Sequence, residues 1–374
     1  MRKVNWAEPN IGEEEAEAVK EAVKSTWIGG NGPAVAEFEK YVARKIGVKH
    51  AIAVNNGTSA LLCALQAFRE KLGSLHVLTP TFTYLATVNT AYEIADKSVA
   101  LADCNRETWN IDKRTVSEAL SPSTNLIMPV DVAGLPVNYD ELKKLKLPIL
   151  ADSAEAIGAC YKGELLGSQA DVHIFSLHAA KTITAGEGGV ITTNDTDLYD
   201  VMRSISNQGY PASASNKDKW NYRYERIGFN YRMPNLQAAL ALVQIKKLDR
   251  YVKARIERAK IYKDILGDNV RYQENLLNGT RHSYFIFGIL TKTHKQQLAF
   301  CEEMYRKGIG VKITFIPAHK VPFYTHLAEN MAYPNSSWVW HHEVSLPIHN
   351  KMSEEDTIHV AETAREVLQK NAKT

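Results

Sequence analysis

Between Val35 and Thr193, short apolar runs alternate with longer stretches in which apolar residues recur every three or four positions. The runs His50–Val54, His76–Leu78, Val99–Ala102, Asn125–Val130, Pro148–Ala151, Val172–Leu177 and Val190–Thr193 predict strands. Val35–Ile46, the stretch after Ser59, Thr83–Ile94, Asp140–Lys146 and Leu198–Ile205 predict helices. An earlier helix, Glu13–Lys24, has Asn10 as its expected cap. Strand–helix alternation over roughly 150 residues implies a mainly parallel sheet sandwiched by helices, with ligands at the carboxyl ends of its strands. Asp103, Asp131, Asp152 and Thr81 to Tyr84 stand at such ends.

The pattern changes further along. A polar, aromatic-rich stretch from Ser206 to Ile227 (with Trp220 and Tyr222) predicts a long loop, and Asn235–Leu266 a long helix. Strands at Ser283–Leu290 and Val311–Phe315 then surround a helix at Lys295–Lys307, and a last helix spans Glu354–Leu368. The reading is an α/β protein with a large domain, residues 1–250, and a smaller C-terminal α/β domain, residues 251–374.

Composition narrows the class. The chain has 374 residues, 45% hydrophobic and 23% charged, as in a globular protein. A net charge of +3 is too small to argue for nucleic acid or a membrane surface. No apolar run reaches the ~18 residues of a membrane span, and MRKVNWAEPN lacks a signal-peptide core. Four cysteines without a CxxC pair predict neither disulfides nor a metal site, and a reducing cytoplasm.

The candidate chemistry centres on Asp171 to Asp195. A strand runs into a polar turn holding His178 and Lys181, then a glycine cluster, then a second strand. A lysine there is a candidate Schiff-base former, although a lone lysine is more often plain surface. Strand, Gly57-Thr58-Ser59, helix is an anion-binding arrangement, although a bare Gly-Thr-Ser is often only a cap. Asp103 and Asp131 read as loop or cap residues, His178 as packing, and Trp220 and Tyr222 equally as a packed loop. A lysine, an aspartate at a buried strand end, a phosphate cradle and an aromatic at another strand end suit one cofactor, pyridoxal phosphate. It needs an amine for its aldehyde, a carboxylate for its ring nitrogen, an anion hole and a stacking partner.

The motifs NNGTSAL, PTFTY, ADSAEAIGA, FSLHAAKTITAGEGG and GFNYRMPN resemble those of the sugar aminotransferases of the DegT/DnrJ/StrS group, fold-type I pyridoxal-phosphate enzymes. The resemblance runs from Asn10 to His349. It implies that Lys181 carries the cofactor and shuttles the proton, and that Asp152 pairs with the ring nitrogen. Glu155 lies by the phenolic oxygen and Tyr84 stacks on the ring. Thr58, Ser59 and Ser176 hold the phosphate, and Asn230 reaches the phosphate of a partner subunit in a homodimer with shared sites. Trp27, in the loop before Gly29-Gly30, and His319 are expected to meet the sugar nucleotide. The implied reaction transfers an amino group from glutamate to a nucleotide-linked keto sugar, a 4-keto-6-deoxyhexose such as GDP-4-keto-6-deoxymannose. Amination at C3, another keto sugar, or a cofactor-bound sensor without turnover are the alternatives. Asp131 and Leu135 replace the group's usual His and Gln, departures that bear on the substrate rather than the cofactor.

Overall fold

The computed structural model describes residues 2–212, 223–329 and 331–371. Trp220 and Tyr222 lie outside them. The chain opens with α1 (Glu13–Lys24), α2 (Pro33–Ile46), β1 (His50–Val54), α3 (Gly57–Leu72), β2 (Val77–Pro80), α4 (Leu85–Ile94) and β3 (Val99–Ala102). It continues through α5 (Lys113–Ala119), β4 (Leu126–Ile127), α6 (Tyr139–Lys143), β5 (Leu150–Asp152) and a small hairpin, β6 (Cys160–Tyr161) with β7 (Glu164–Leu165). Then come β8 (Val172–Ser176), β9 (Gly189–Thr193), α7 (Thr196–Ser206), α8 (Asn235–Lys246) and α9 (Leu248–Leu266). The remainder is β10 (Arg271–Tyr272), β11 (Phe287–Leu290), α10 (His294–Arg306), α11 (Pro334–Trp340), β12 (Glu343–Leu346) and α12 (Glu354–Asn371).

The strands β3-β2-β4 and β5-β8 pair in parallel. Parallel bridges Ile127–Ile149 and Val130–Asp152 join the two groups into one continuous surface. The expected parallel sheet is mixed at one end, where β9 runs antiparallel between β8 and β1. The link from β8 to β9, residues 177–188, contains no helix, and without the crossover helix that usually joins parallel strands the chain turns back on itself.

Both faces of the sheet are buried, which is why its strands read as nearly unbroken apolar runs. Alternate residues serve opposite layers. Ile52, Val54, Val172 and Ile174 pack under α3, α4 and α7. Ala51, Ala53, Phe175 and Val190 face α2, α8 and α9, and Ala151, Leu78 and Ile127 face α5 and α6. Each fully buried large apolar side chain of this kind, such as Phe38, Phe68 or Phe175, contributes about 1.5–3 kcal/mol.

Other expectations are corrected. Gly12, not Asn10, caps α1: its N–H donates to Glu15 Oε2 at 2.9 Å, while the Asn10 carbonyl accepts from Gln244 and Tyr251. The long helix expected over Asn235–Leu266 breaks at Lys247, which bonds Glu14 and Glu15 of α1. Val311–Phe315 forms no strand; its backbone pairs with that of β12 at the single Lys312–Ser345 bridge. In the C-terminal part, β10-β11-β12 form an antiparallel sheet packed with α9, α10 and α12. Its core includes Val4 from the first residues, whereas Tyr251 and Val252 of α9 belong to the core of the large sheet. The two cores therefore share α9.

Candidate active site

The loop carrying Lys181 is pinned at both ends. Leu177 N–H donates to Gly188 O, and Leu177 O accepts from Ala185 N–H and Thr184 Oγ1. The Lys181 side chain, 15% exposed, points inward. Its Nζ lies 3.6 Å from Glu155 Oε1 and 4.0 Å from the centre of the Phe285 ring.

Two buried acids feel the charge of this amine. Asp152, at the end of β5, is buried; its carboxylate accepts from Thr87 Oγ1 at 2.7 Å and Ala154 N–H at 3.1 Å. Burial pushes its pKa up, and those hydrogen bonds with the Lys181 charge pull against it. Glu155 is also buried and accepts from Ala133 N–H at 2.8 Å; burial raises its pKa, opposed first by Lys181. A third carboxyl, Glu343 on β12, is fully buried and clasps Thr314 through both oxygens. Burial pushes it to about 8, with the Glu155 charge adding to the effect. The sequence reading missed Glu343, although an acid opening the apolar run Val344–Leu346 was a usable signal.

The anion cradle sits at the same, carboxyl end of the sheet, where Val54 at the end of β1 and Ser176 at the end of β8 both pair with Gly189. Asn56 caps α3 by accepting from Ser59 N–H at 2.8 Å. The first turn of such a helix has amides without intrahelical partners. Thr58 is exposed there and Ser59 buried. Ser176 closes the cradle: a Cβ on Gly57 would stand 3.2 Å from its Cβ and 3.5 Å from its Oγ. A Cβ on Gly189 would stand 2.5 Å from Asn56 O, so only glycine lets β9 pass the loop.

Tyr84 is 67% exposed, a large aromatic left open at a strand end. The neighbouring Thr83 bonds Thr87 at 2.9 Å, and Thr87 bonds Asp152, so the Tyr84 turn and the acid are fastened together.

The remaining candidates divide. Trp27 and Asn230 are both exposed. Their segments are laced together: Asn235 donates to the carbonyls of Trp27, Ile28 and Gly29, and a Cβ on Gly30 would stand 2.6 Å from Arg232 Cβ. His319, expected at the sugar nucleotide, is buried, and both ring nitrogens are taken, by Thr81 Oγ1 at 2.8 Å and Ser337 Oγ at 3.0 Å. Its ring also stacks on Tyr333, and burial lowers its pKa to about 4. In this arrangement it offers no free nitrogen to a ligand and ties β2 to the C-terminal part. Asp103 does cap, receiving N–H groups of Asn335 and Ser336 at the start of α11. Asp131 is instead a buried hub for Tyr139, Ser153 and Val137, pushed by burial to about 7. His178 does not pack; it is half exposed, 3.8 Å from Glu187.

These residues fit pyridoxal phosphate. Lys181 supplies an amine, Asp152 and Glu155 buried acids, the start of α3 with Ser176 an anion site, and Tyr84 an uncovered ring face. Thr182 Oγ1, beside Lys181, is buried without a hydrogen-bond partner. No group of side chains suited to a metal ion occurs among the described residues.

Residues 9–365 match the model of the DegT/DnrJ/EryC1/StrS aminotransferase family. The chain is 34% identical to the GDP-perosamine synthase of Caulobacter vibrioides, covering 98% of this chain and 99% of that one. It is 31% identical to the UDP-4-amino-4,6-dideoxy-N-acetyl-beta-L-altrosamine transaminase of Campylobacter jejuni, over 98% of each. Among solved structures, Helicobacter pylori PseC, an aminotransferase involved in the biosynthesis of pseudoaminic acid, superposes with a TM-score of 0.92 at 28% identity. That match covers 99% of this chain and 100% of the other.

Proposed function

Because the chain belongs to the DegT/DnrJ/EryC1/StrS aminotransferase family, and is a pyridoxal-phosphate-dependent sugar aminotransferase acting on nucleotide sugars, we propose a specific reaction for it. It aminates C4 of a nucleotide-linked 4-keto-6-deoxyhexose such as GDP-4-keto-6-deoxymannose, with glutamate as amino donor. The product of that reaction is GDP-perosamine. The observation that carries this reading is the amine of Lys181 set 3.6 Å from Glu155, among buried acids that include Asp152. The STWIGG, NNGTSAL and IGFNYRMPN segments, similar to those of the perosamine synthases, support the choice of sugar.

Pyridoxal phosphate, when bound, supplies an aldehyde that takes up the amine and a ring that draws electrons from the reacting carbon. The chain's own groups do the rest. Lys181 Nζ accepts and returns the proton, a role that needs a neutral amine part of the time. Asp152, hydrogen-bonded to Thr87, would face the ring nitrogen and, as a carboxylate, favour a positive charge there. Glu155 would hold the phenolic oxygen, Tyr84 would cover the ring face, and Thr58, Ser59 and Ser176 would fix the phosphate.

The proposal includes a homodimer in which Asn230 reaches the partner's phosphate. Its support is the exposure of Trp27, Ile28, Ile227 and Phe229 close to Asn230 in the chain or through the Asn235 bonds, an apolar surface that suits a second copy. No helix among the described residues is long and apolar enough to cross a membrane. A cytoplasmic place, where nucleotide sugars are made, completes the reading.

The test is a panel of GDP- and UDP-linked keto sugars incubated with glutamate and read by mass spectrometry. Amination of the 4-keto-6-deoxymannose compound is expected. Amination only of a 3-keto or UDP sugar replaces the proposed substrate. A visible cofactor band that glutamate leaves unchanged favours a sensor without turnover.

A further inference from the structure

We propose that Glu343 is a positioning residue: it clamps Thr314 so that Phe315 stands against Tyr84 and forms one wall of the cofactor site. The inference rests on the reading of Tyr84 as the residue that covers the cofactor ring.

The clamp is two-pronged. Thr314 N–H donates to Glu343 Oε2 at 2.8 Å, and Thr314 Oγ1 donates to Glu343 Oε1 at 3.0 Å. Both oxygens of one fully buried carboxyl therefore grip one residue. Little else holds that segment to β12. Lys312 pairs with Ser345 in a single bridge, and the next fixed point is Ala318 N–H on Thr81 O at 2.8 Å.

The residue just past the clamp is strained. Phe315 has φ of 47°, a left-handed conformation that a bulky side chain rarely adopts. Such a conformation persists only where the surroundings over-determine it. Here it turns the ring toward the site: Phe315 meets Tyr84 edge-to-face, centroids 6.3 Å apart at 65°, and Phe82 at 5.9 Å and 70°. Without Phe315, no other aromatic ring among the described contacts backs Tyr84.

Space for the carboxyl has been made in the sheet. A Cβ on Gly288 of β11 would stand 2.9 Å from Glu343 Oε1 and 2.3 Å from Trp109 Cη2. The absent side chain lets a buried acid and a buried indole share the place. An apolar residue at 343 would fill it as well but would leave Thr314 N–H without its acceptor.

The clamp acts by geometry, not by charge, and this makes it testable. Glutamine keeps both bonds, its carbonyl accepting from Thr314 N–H and its amide donating to Thr314 Oγ1. The affinity of the full-length chain for pyridoxal phosphate, measured by fluorescence titration after removing bound cofactor, reads the wall without turnover. Glu343→Ala is expected to weaken that affinity roughly tenfold, Phe315→Ala to a similar extent, and the double variant no further than Phe315→Ala alone. Glu343→Gln should stay within about twofold of wild type. Should Glu343→Ala fail to fold, Thr314→Val, which removes one prong, takes its place with a smaller loss that also vanishes in the Phe315→Ala background. Additive losses, or a Gln variant as weak as the Ala variant, overturn the clamp. A wild-type chain that takes up no pyridoxal phosphate overturns the Tyr84 reading beneath it, a result separable from the first because it precedes any substitution.

Discussion

Lys181 Nζ and Glu155 Oε1 are 3.6 Å apart, close enough for ion pairing and too far for a good hydrogen bond. The amine is held by charge and by the Phe285 ring rather than locked by a short bond, and so it can turn toward a ligand. The acids need that cation: Lys181 lowers the pKa of both Asp152 and Glu155 against the effect of burial.

Replacing Lys181 separates binding from turnover. Lys181→Ala keeps the anion cradle, the acids and Tyr84, so pyridoxal phosphate should still be retained on gel filtration. Turnover should fall by at least the 10²–10⁴-fold of a lost general acid–base group, about 3–5 kcal/mol. A variant with near-normal rate removes Lys181 from the chemistry.

Asp152→Asn tests the charge without changing the shape. Asparagine still accepts from Thr87 Oγ1, so the fold and the Thr83–Thr87 link should survive, with a melting temperature close to wild type. Without a full negative charge the ring nitrogen loses its partner. The rate of the glutamate half-reaction should drop by about 10²-fold or more, as when one electrostatic donor is removed from other sites. An unchanged half-reaction rate in stopped-flow absorbance would count against that role.

Tyr84→Ala should leave stability nearly untouched, because the side chain is already 67% exposed in the single chain. Cofactor affinity should fall about 2- to 10-fold, the worth of one stacked aromatic contact. Paired thermal melts and cofactor titrations check this; a large melting shift with normal affinity would make Tyr84 structural.

The pattern of apolar runs located the large sheet because both its faces are buried, and local motifs located Lys181, Asp152, Glu155 and Ser176 because each sits within a few residues of a strand end. What escaped depends on distant partners. The antiparallel β9 goes with a β8–β9 link that forms no crossover helix, and the strands alone look the same either way. The break at Lys247 depends on two glutamates more than 200 positions earlier. His319 resembles a ligand by motif, but Thr81 and Ser337, from two other segments, consume its nitrogens. Glu343 shows in the sequence only as an acid at the head of a mostly apolar run; its partners, Thr314 and Glu155, come beside it only in the fold.

The buried carboxyl of Glu343 also predicts how stability changes with pH. Its folded pKa, about 8, lies well above the ordinary 4.5, because burial disfavours the charged form and Glu155 adds repulsion. Between those values the folded chain holds a proton that the unfolded chain has released. Raising the pH through that window therefore destabilises the fold, by up to about 1.4 kcal/mol per pH unit for this one group. Asp131, raised by burial to about 7, slopes the same way but is present in both chains of the comparison. Glu343→Gln has no such proton. Its melting temperature relative to wild type should show no pH-linked gain below about pH 4.5, rise steadily toward pH 8 and level off beyond, where the wild-type carboxylate is ionised in both states. Scanning calorimetry at a low and a high pH within the stable range checks the slope. Parallel profiles for the two proteins would mean that Glu343 is already ionised in the folded chain and stabilised by its two bonds to Thr314.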